Sequence, residues 1–196
     1  QGIGATKNFS VLMTNTLPNV HAVSNSQCFP YWWYDGGERR EAISEGALKK
    51  FRERYADGEI TKKDIFYYVY GVLSSREYAE RFGNDTKRQL ARVPFVDSRE
   101  KFFTFRNAGR ELAYWQVNYE RVSAWPLEYS GVLDDTTVKK MRVFEEAGAR
   151  VIRYNDGLTI RGIPSKAWGY IVNGRSALDW LIERYRDGRD KQSGLR

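Results

Sequence analysis

Residues 149–164 read ARVIRYNDGLTIRGIP, and here the helical character of the chain's middle gives way to strands. Val151, Arg153 and Asn155 alternate with Ile152 and Tyr154, the two-residue period of a strand. Asn155-Asp156-Gly157 is a turn signal, and Leu158 to Ile163 supplies the return strand before Pro164. Towards the C-terminus, Ser165 is expected to cap a short helix, KAWGYIV (166–172). Asn173-Gly174 then makes a helix-to-helix corner. Ser176 caps a last helix whose Leu178, Leu181, Ile182 and Tyr185 recur at i, i+3, i+4 and i+7, a stripe expected to face the core.

On the N-terminal side the pattern is helical. SEGALKKFRERYADG (44–58) offers Ser44 as cap, Leu48, Phe51 and Tyr55 on one face, and Gly58 as stop. TKKDIFYYVYGVL (61–73) starts with a weak capping box, Thr61 with Asp64, and lines one face with Ile65, Val69 and Val72, widened by Phe66 and Leu73. Tyr67, Tyr68 and Tyr70 cannot all face one way. Aromatics at this spacing fit a core better than a base-stacking platform. Ser74 or Ser75 caps REYAERFG (76–83), and NDTKRQLARVP (84–94) is expected to add a further helical piece stopped by Pro94. Asp97 and Glu100 form a capping pair for a helix running to about Val117. Earlier still, a β-rich run from Phe9 to Met13 and the aromatic QCFPYWWY (27–34) suggest strands or an extended edge. The class that follows is α+β, with a largely helical middle, N-terminal strands and a C-terminal β-hairpin followed by helices. Residues 1–196 are expected to form one domain. Its parts are a strand-and-turn segment (1–43), a helical segment (44–120) and a hairpin-plus-helix segment (121–196). With no Met at Gln1 and no closing element in DKQSGLR, a fragment of a larger protein is expected.

Composition narrows the partners. The chain has 196 residues, 41% hydrophobic and 15% aromatic, a size and content that support a packed core. Its formal charge of +7 and pI near 9.4 make a polyanion a plausible partner. Cys28 is the single cysteine, so no intrachain disulfide forms, which fits a reducing compartment. The longest apolar run is too short to cross a bilayer, and no signal-peptide pattern opens the chain.

Catalytic patterns are largely missing. GIGATK (2–7) lacks the spacing of a phosphate loop, and no G-x-S-x-G elbow occurs. His21, the only imidazole, follows a Leu-Pro turn without an evident partner and reads as a surface or packing residue. PFVDSREK (94–101) resembles a nuclease metal motif only superficially: Glu100 and Lys101 are adjacent, at a helix start. Basic clusters remain, at Arg39-Arg40, Lys49-Lys50-Arg52-Arg54, Lys62-Lys63, Lys87-Arg88-Arg92 and Lys139-Lys140-Arg142. Interleaved acids make most of them ordinary solvated faces. Arg153 and Arg161 differ in lying on the two strands of one hairpin, with Lys166 and Arg175 at or before helix starts. That set could offer cations and backbone donors to phosphates, although Arg175 could equally brace the turn before the last helix.

Several stretches resemble known proteins. DIFYYVYGVLSSREYAERFGNDTKRQLARVPFVD (64–97) resembles a segment behind the catalytic core of adenine-N6 DNA methyltransferases fused to restriction activities. FSVLMTNTLPNVH (9–21), QCFPYWWY (27–34) and YNDGLTIRGIPSKAWGYIVNGRSALDWLIERY (154–185) resemble the C-terminal specificity domain of type ISP restriction–modification enzymes. Asn155 to Tyr185 is the most specific part. In that family a nuclease, a helicase-like ATPase and an adenine methyltransferase are joined to a target-recognition domain. This chain carries no Walker loop, no N-P-P-Y motif and no nuclease Asp/Glu-x-Lys set. The resemblance implies a bacterial, cytoplasmic, non-catalytic part. Its partners would be double-stranded DNA and the neighbouring methyltransferase and helicase-like domains of the parent, and not a membrane. It would read a short sequence and position an adenine for flipping. No cofactor is expected in this chain; S-adenosylmethionine, ATP and Mg belong to the parent. The candidate DNA-contacting residues are Arg153, Arg161, Lys166, Arg175, Arg39, Arg40, Lys87 and Arg88. The alternative is a docking scaffold with little DNA affinity of its own.

Overall fold

The computed structural model describes residues 9–18, 27–132, 134, 137–138 and 140–185. Gly2–Lys7, His21 and Lys139 lie outside the described residues. The architecture is α+β, and the chain divides into two compact units, Gln1–Val122 and Ser123–Arg196.

The first unit opens with an antiparallel ribbon, β1 (Trp32–Asp35) and β2 (Glu38–Glu41), and continues into helices α1 (Glu45–Tyr55), α2 (Lys62–Ser74), α3 (Arg76–Phe82) and α4 (Arg99–Val117). Local cap chemistry places the helix starts. Ser44 accepts the Ala47 N–H at 3.2 Å. Thr61 and Asp64 close a full capping box, with Asp64 N–H to Thr61 Oγ1 at 3.1 Å and Thr61 N–H to Asp64 Oδ2 at 2.9 Å. Ser75 caps α3 through the Tyr78 N–H.

Four expectations need correction here. Helix α1 stops at Ala56, in the left-handed region (φ 48°), rather than at Gly58. Leaving the helix there buries Asp57, which accepts Glu59 N–H at 2.9 Å and Arg99 Nε at 2.6 Å. The cap of α4 is Ser98, which accepts Lys101 N–H at 3.2 Å, while Asp97 pairs with Lys101 Nζ at 2.8 Å. Phe9 to Met13 forms no strand. Phe9 packs on Tyr78 with ring centroids 5.9 Å apart, and Met13 N–H reaches Gln116 Oε1 at 2.7 Å. The helical piece expected over 84–94 shrinks to one 3₁₀ turn, Asp85–Lys87.

The reason for this last difference is a set of tyrosine hydroxyls that claim the backbone of the following segment. Tyr78 OH donates to Arg92 O at 2.8 Å and Tyr68 OH to Pro94 O at 2.7 Å. The Val96 N–H is shared between the hydroxyls of Tyr55 (3.1 Å) and Tyr68 (3.2 Å). An extended strap with its polar groups satisfied this way competes well with a helix. Burial of Tyr68 and Tyr55 raises both phenol pKa values above the ordinary value.

Behind the strap, α2 crosses α4 at two glycines. A Cβ on Gly71 would lie 2.2 Å from Phe105 O, and one on Gly109 would lie 2.1 Å from Tyr67 O. The turn of α2 that this imposes buries Ile65, Tyr68, Tyr70, Gly71 and Val72, leaving Val69 of the expected stripe half-buried. With Leu48, Tyr55, Ile60, Tyr78 and Phe102, three of these (Ile65, Tyr68 and Val72) form the core.

The second unit is built on a four-stranded antiparallel sheet in the order β3 (Glu128–Gly131), β6 (Leu158–Arg161), β5 (Ala149–Arg153), β4 (Arg142–Glu146). The β5–β6 hairpin stands where the alternation places it, and β3 and β4 pair along its two edges. Val138, Met141, Ile152 and Trp168 form the core on one face, joined by Leu178 and Ile182. Helix α5 (Ser165–Trp168) is only four residues, and Ser165 is its first residue rather than a side-chain cap. The Asn173-Gly174 break is a β-hairpin turn, not a helix-to-helix corner: β7 (Ile171–Val172) pairs with β8 (Arg175–Ser176) across it. Both turn residues have positive φ (54° and 83°), the conformation that favours Asn-Gly in tight hairpins. Ser176 then caps α6 (Ala177–Arg184) through Leu178 N–H at 3.3 Å. Only Leu178 and Ile182 of the expected stripe meet the core; Leu181 and Tyr185 are 52% and 61% exposed.

Two measurements check these contacts. Gly109→Ala should lower stability in urea unfolding by about 1–3 kcal/mol through overpacking, although a helical Gly→Ala change ordinarily gains up to ~1 kcal/mol. Asp57 is held below the usual carboxylate pKa, first by Glu59 N–H and then by Arg99. Its contribution is therefore present above the unfolded carboxyl pKa of about 4 and lost as pH falls through the lower folded value. Acid titration of the folded state should show that loss in the wild type and a flatter profile in Asp57→Asn.

Candidate functional site

The pleat of the sheet sorts its side chains. Ile152 and Ile160 point to the core, so Arg142, Phe144, Glu146, Val151, Arg153, Thr159, Arg161 and Ser130 share the opposite face. The two arginines from the hairpin, Arg153 and Arg161, thus lie on one face, but their electrostatic situations differ. Arg161 donates to Glu146 Oε1 at 3.0 Å through Nη2, and also to Ser130 Oγ, with Glu128 directly opposite on β3. The Arg161 hydrogen bonds hold the Glu146 carboxyl below its ordinary pKa. Arg161 is a neutralised brace tying β3, β6 and β4 together.

Arg153 has no such partner. It lies directly across from Arg142 on β4, and both are exposed. Its guanidinium rests over the Phe144 ring at 5.3 Å. Among the described residues neither Arg142 nor Arg153 makes an ion pair. Directly opposed side chains sit ~5 Å apart at Cβ, and like charges there are destabilising. Their row continues through Thr159 to Ser130, so four strands present a band of two guanidiniums and two hydroxyls ~14 Å long. Phosphate oxygens or base-edge acceptors are the ligands that such a band of donors suits.

The other sequence-derived candidates fall elsewhere. Lys166 is exposed on α5. Arg175 pairs with Glu183 and stacks over Trp180 at 4.8 Å, bracing β8 against α6. Arg39, Arg40, Lys87 and Arg88 belong to the first unit. Arg39 stacks over Trp32 at 4.4 Å, and Arg40 pairs with Asp35 at 3.3 Å and Glu38 at 3.4 Å. Lys87 reaches Asn84 Oδ1 at 3.3 Å, and Arg88 is exposed beyond the 3₁₀ turn. Arg142 stands in the basic cluster at 139–142, but only a strand at 142–146 links it to Arg153. Glu-Ala-Gly-Ala at 146–149, a tight-turn sequence, was the available signal for that strand. No group of His, Cys, Asp and Glu among the described residues could hold a metal ion, and none of their helices is long and apolar enough to cross a membrane.

The opposed arginines carry a stability signature. Arg153→Gln should raise stability by about 0.2–1 kcal/mol in thermal or urea unfolding at low salt, an advantage that shrinks as salt screens the repulsion. An Arg153 engaged in an internal ion pair would give the opposite sign.

Comparison with known proteins places the chain in a family. The family model for the Type ISP C-terminal specificity domain matches residues 1–196. Among solved structures, a chain of the DrdV–DNA complex determined by cryo-electron microscopy superposes with TM-score 0.88 and 32% identity, over 98% of this chain and 20% of that one. A nuclease-deletion mutant of the Type ISP restriction–modification enzyme LlaGI, in complex with a DNA substrate mimic, gives TM-score 0.76 and 32% identity over 100% of this chain and 17% of that one. The ATP-dependent Type ISP restriction–modification enzyme LlaBIII bound to DNA gives 0.65 and 32% over 81% and 10%. No curated protein sequence gives a significant match. The chain spans a fifth or less of the length of these solved chains. Matched over its whole length and sharing about a third of its residues with these structures, the chain belongs to the Type ISP C-terminal specificity domain family.

Proposed function

We propose that the chain recognises duplex DNA as the specificity module of a larger restriction–modification enzyme. The Arg142–Arg153 pair is the observation that carries this: two exposed guanidiniums, opposed on one sheet face and without carboxylate partners, form a standing demand for an anion. The overall charge of +7 points the same way, as does the DNA in the solved relatives. Phosphate contacts from this pair set affinity and register. Thr159 and Ser130, further along the row, are able to meet base edges or sugar. In the parent enzyme such docking positions the target adenine for flipping into a methyltransferase pocket. S-adenosylmethionine, ATP and Mg serve the parent's methyltransferase and helicase-like parts and are not held by this chain.

A second reading, docking onto neighbouring domains of the parent, is favoured by a different observation. Ile171, Leu181 and Tyr185 are 55%, 52% and 61% exposed in the second unit.

Salt-dependent binding separates the two. Fluorescence anisotropy with labelled duplexes should give log K falling linearly with log salt. Replacing both Arg142 and Arg153 by Ala should flatten the slope by about 2, close to 0.9 per lost phosphate contact. No binding at low salt, or an unchanged slope, would leave interdomain docking as the better account.

A further inference from the structure

We infer that the β1–β2 ribbon of the first unit is a second DNA-contacting element, with Arg39 as a base-reading side chain in the major groove. This rests on the proposed DNA recognition but concerns residues remote in sequence from the sheet.

The ribbon is exposed on both faces. Every residue of β1 and β2 is exposed except Glu41, which is half-buried. Trp32, Trp33 and Tyr34 are consecutive aromatics, 41%, 43% and 68% exposed. A two-stranded hairpin is at best marginally stable alone, and a soluble surface seldom shows three adjacent large aromatics without a use for them. This one is fixed at its root. Tyr31 packs on Phe66 of α2 with centroids 5.1 Å apart, its hydroxyl meets Glu41, and Ala42 N–H closes on Tyr31 O at 2.8 Å. Lys62 Nζ adds Glu41 at 3.7 Å and Glu45 at 2.6 Å. At the tip, side chains added at Gly36 and Gly37 would meet nothing within 4 Å.

Charge sorts by face. Trp33, Asp35, Glu38 and Arg40 share one side, where the single cation is taken by two acids at 3.3 and 3.4 Å. Trp32, Tyr34, Arg39 and Glu41 share the other, and its acid is already engaged by Lys62 and Tyr31 at the root. That leaves Arg39 as the open charge of the ribbon: among the described residues it makes no ion pair. Its guanidinium lies 4.4 Å over the Trp32 ring, with Tyr34 directly opposite across the strands. Stacking of this kind restricts the guanidinium plane and leaves its N–H edge available. A guanidinium placed beside aromatic surface can offer two N–H donors to the O6 and N7 acceptors of guanine, and a two-stranded ribbon is narrow enough for the major groove.

The test uses the whole chain, selecting from a duplex pool with a randomised core and then measuring affinity for the enriched duplex. Arg39→Lys keeps the charge but loses the planar fork and the stack; Arg39→Ala loses all three. Both should weaken binding to the enriched duplex by between about 5-fold and 150-fold, the worth of one bidentate base contact. They should also relax the enriched sequence at one G·C position, while thermal unfolding stays unchanged. The salt slope should change by no more than about 1. If Arg39→Ala enriches the same sequence with wild-type affinity while the Arg142/Arg153 double variant is weakened, the ribbon inference fails and the sheet-based recognition stands. Rescue by Lys, with a flatter slope only in the Ala variant, makes Arg39 a phosphate contact and overturns its base-reading role. Unchanged DNA selection with Trp33 and Tyr34 protected in the parent enzyme assigns the ribbon to a protein surface instead. No enrichment by the wild-type chain overturns both proposals.

Discussion

At Gly71 and Gly109, α2 and α4 meet backbone to backbone, and the rest of the helical unit is arranged around that approach. Any side chain at either position would overlap the facing helix, with Tyr67 O or Phe105 O only 2.1 or 2.2 Å from the added carbon. The close crossing brings Tyr68 against Phe102 and Phe105, with centroid separations of 4.8 and 6.3 Å. It also carries the Tyr68 hydroxyl out to the strap at Pro94 and Val96. Tyr55 and Tyr78 reach the same strap from α1 and α3. Three helices are thus coupled through one extended segment whose backbone they satisfy. The buried tyrosines Tyr55, Tyr68 and Tyr78 form a core with polar tips rather than a stacking platform.

What could be read from sequence was whatever is decided within four or five residues. Ser44, Thr61 with Asp64, Ser75 and Ser176 cap the helices they precede because a cap needs only its own side chain and the next turn. The β5–β6 hairpin is equally local. The strap was not legible: 84–94 has helical composition, and its end is held by hydroxyls up to 26 residues away. Strand β3 is four exposed residues that become a strand only by pairing with β6, about 30 positions later. Asn173-Gly174 reads as a break, but the strands on either side of it are two residues each, too short to show a period.

The same distinction governs the candidate site. Alternation puts Arg153 and Arg161 on the two strands of one hairpin, and the register pairing Arg153 with Thr159 puts them on one face. Which of them is available depends on β4, which supplies Glu146 to Arg161 and Arg142 opposite Arg153. Arg175 shows the converse. Its position before a helix start suggested a phosphate contact, but Glu183 and Trp180, one to two turns into α6, engage it. Counting cations therefore misleads in a chain with 32 basic and 25 acidic residues, because several of the most suggestive ones, Arg40, Arg161 and Arg175, are committed internally. The informative cations are those that the fold leaves opposed or stacked without an acid.

Those cations divide into two kinds, and the division bears on how a recognition module works. Arg142 and Arg153 oppose each other across the strands without an acid between them, and Arg153 lies 5.3 Å over the Phe144 ring. Such side chains gain most from the diffuse field of a phosphate backbone, which tolerates small changes of position. Arg39 lies 4.4 Å over the Trp32 ring, above an anchored root. On the reading proposed for the ribbon, part of its ordering cost is met before DNA arrives, which favours discrimination between groove edges over following charge. A module that must first find DNA and then reject nearly every sequence on it needs both properties. On the two readings proposed, placing them on separate elements would let base preference change at the ribbon without weakening the electrostatic hold of the sheet.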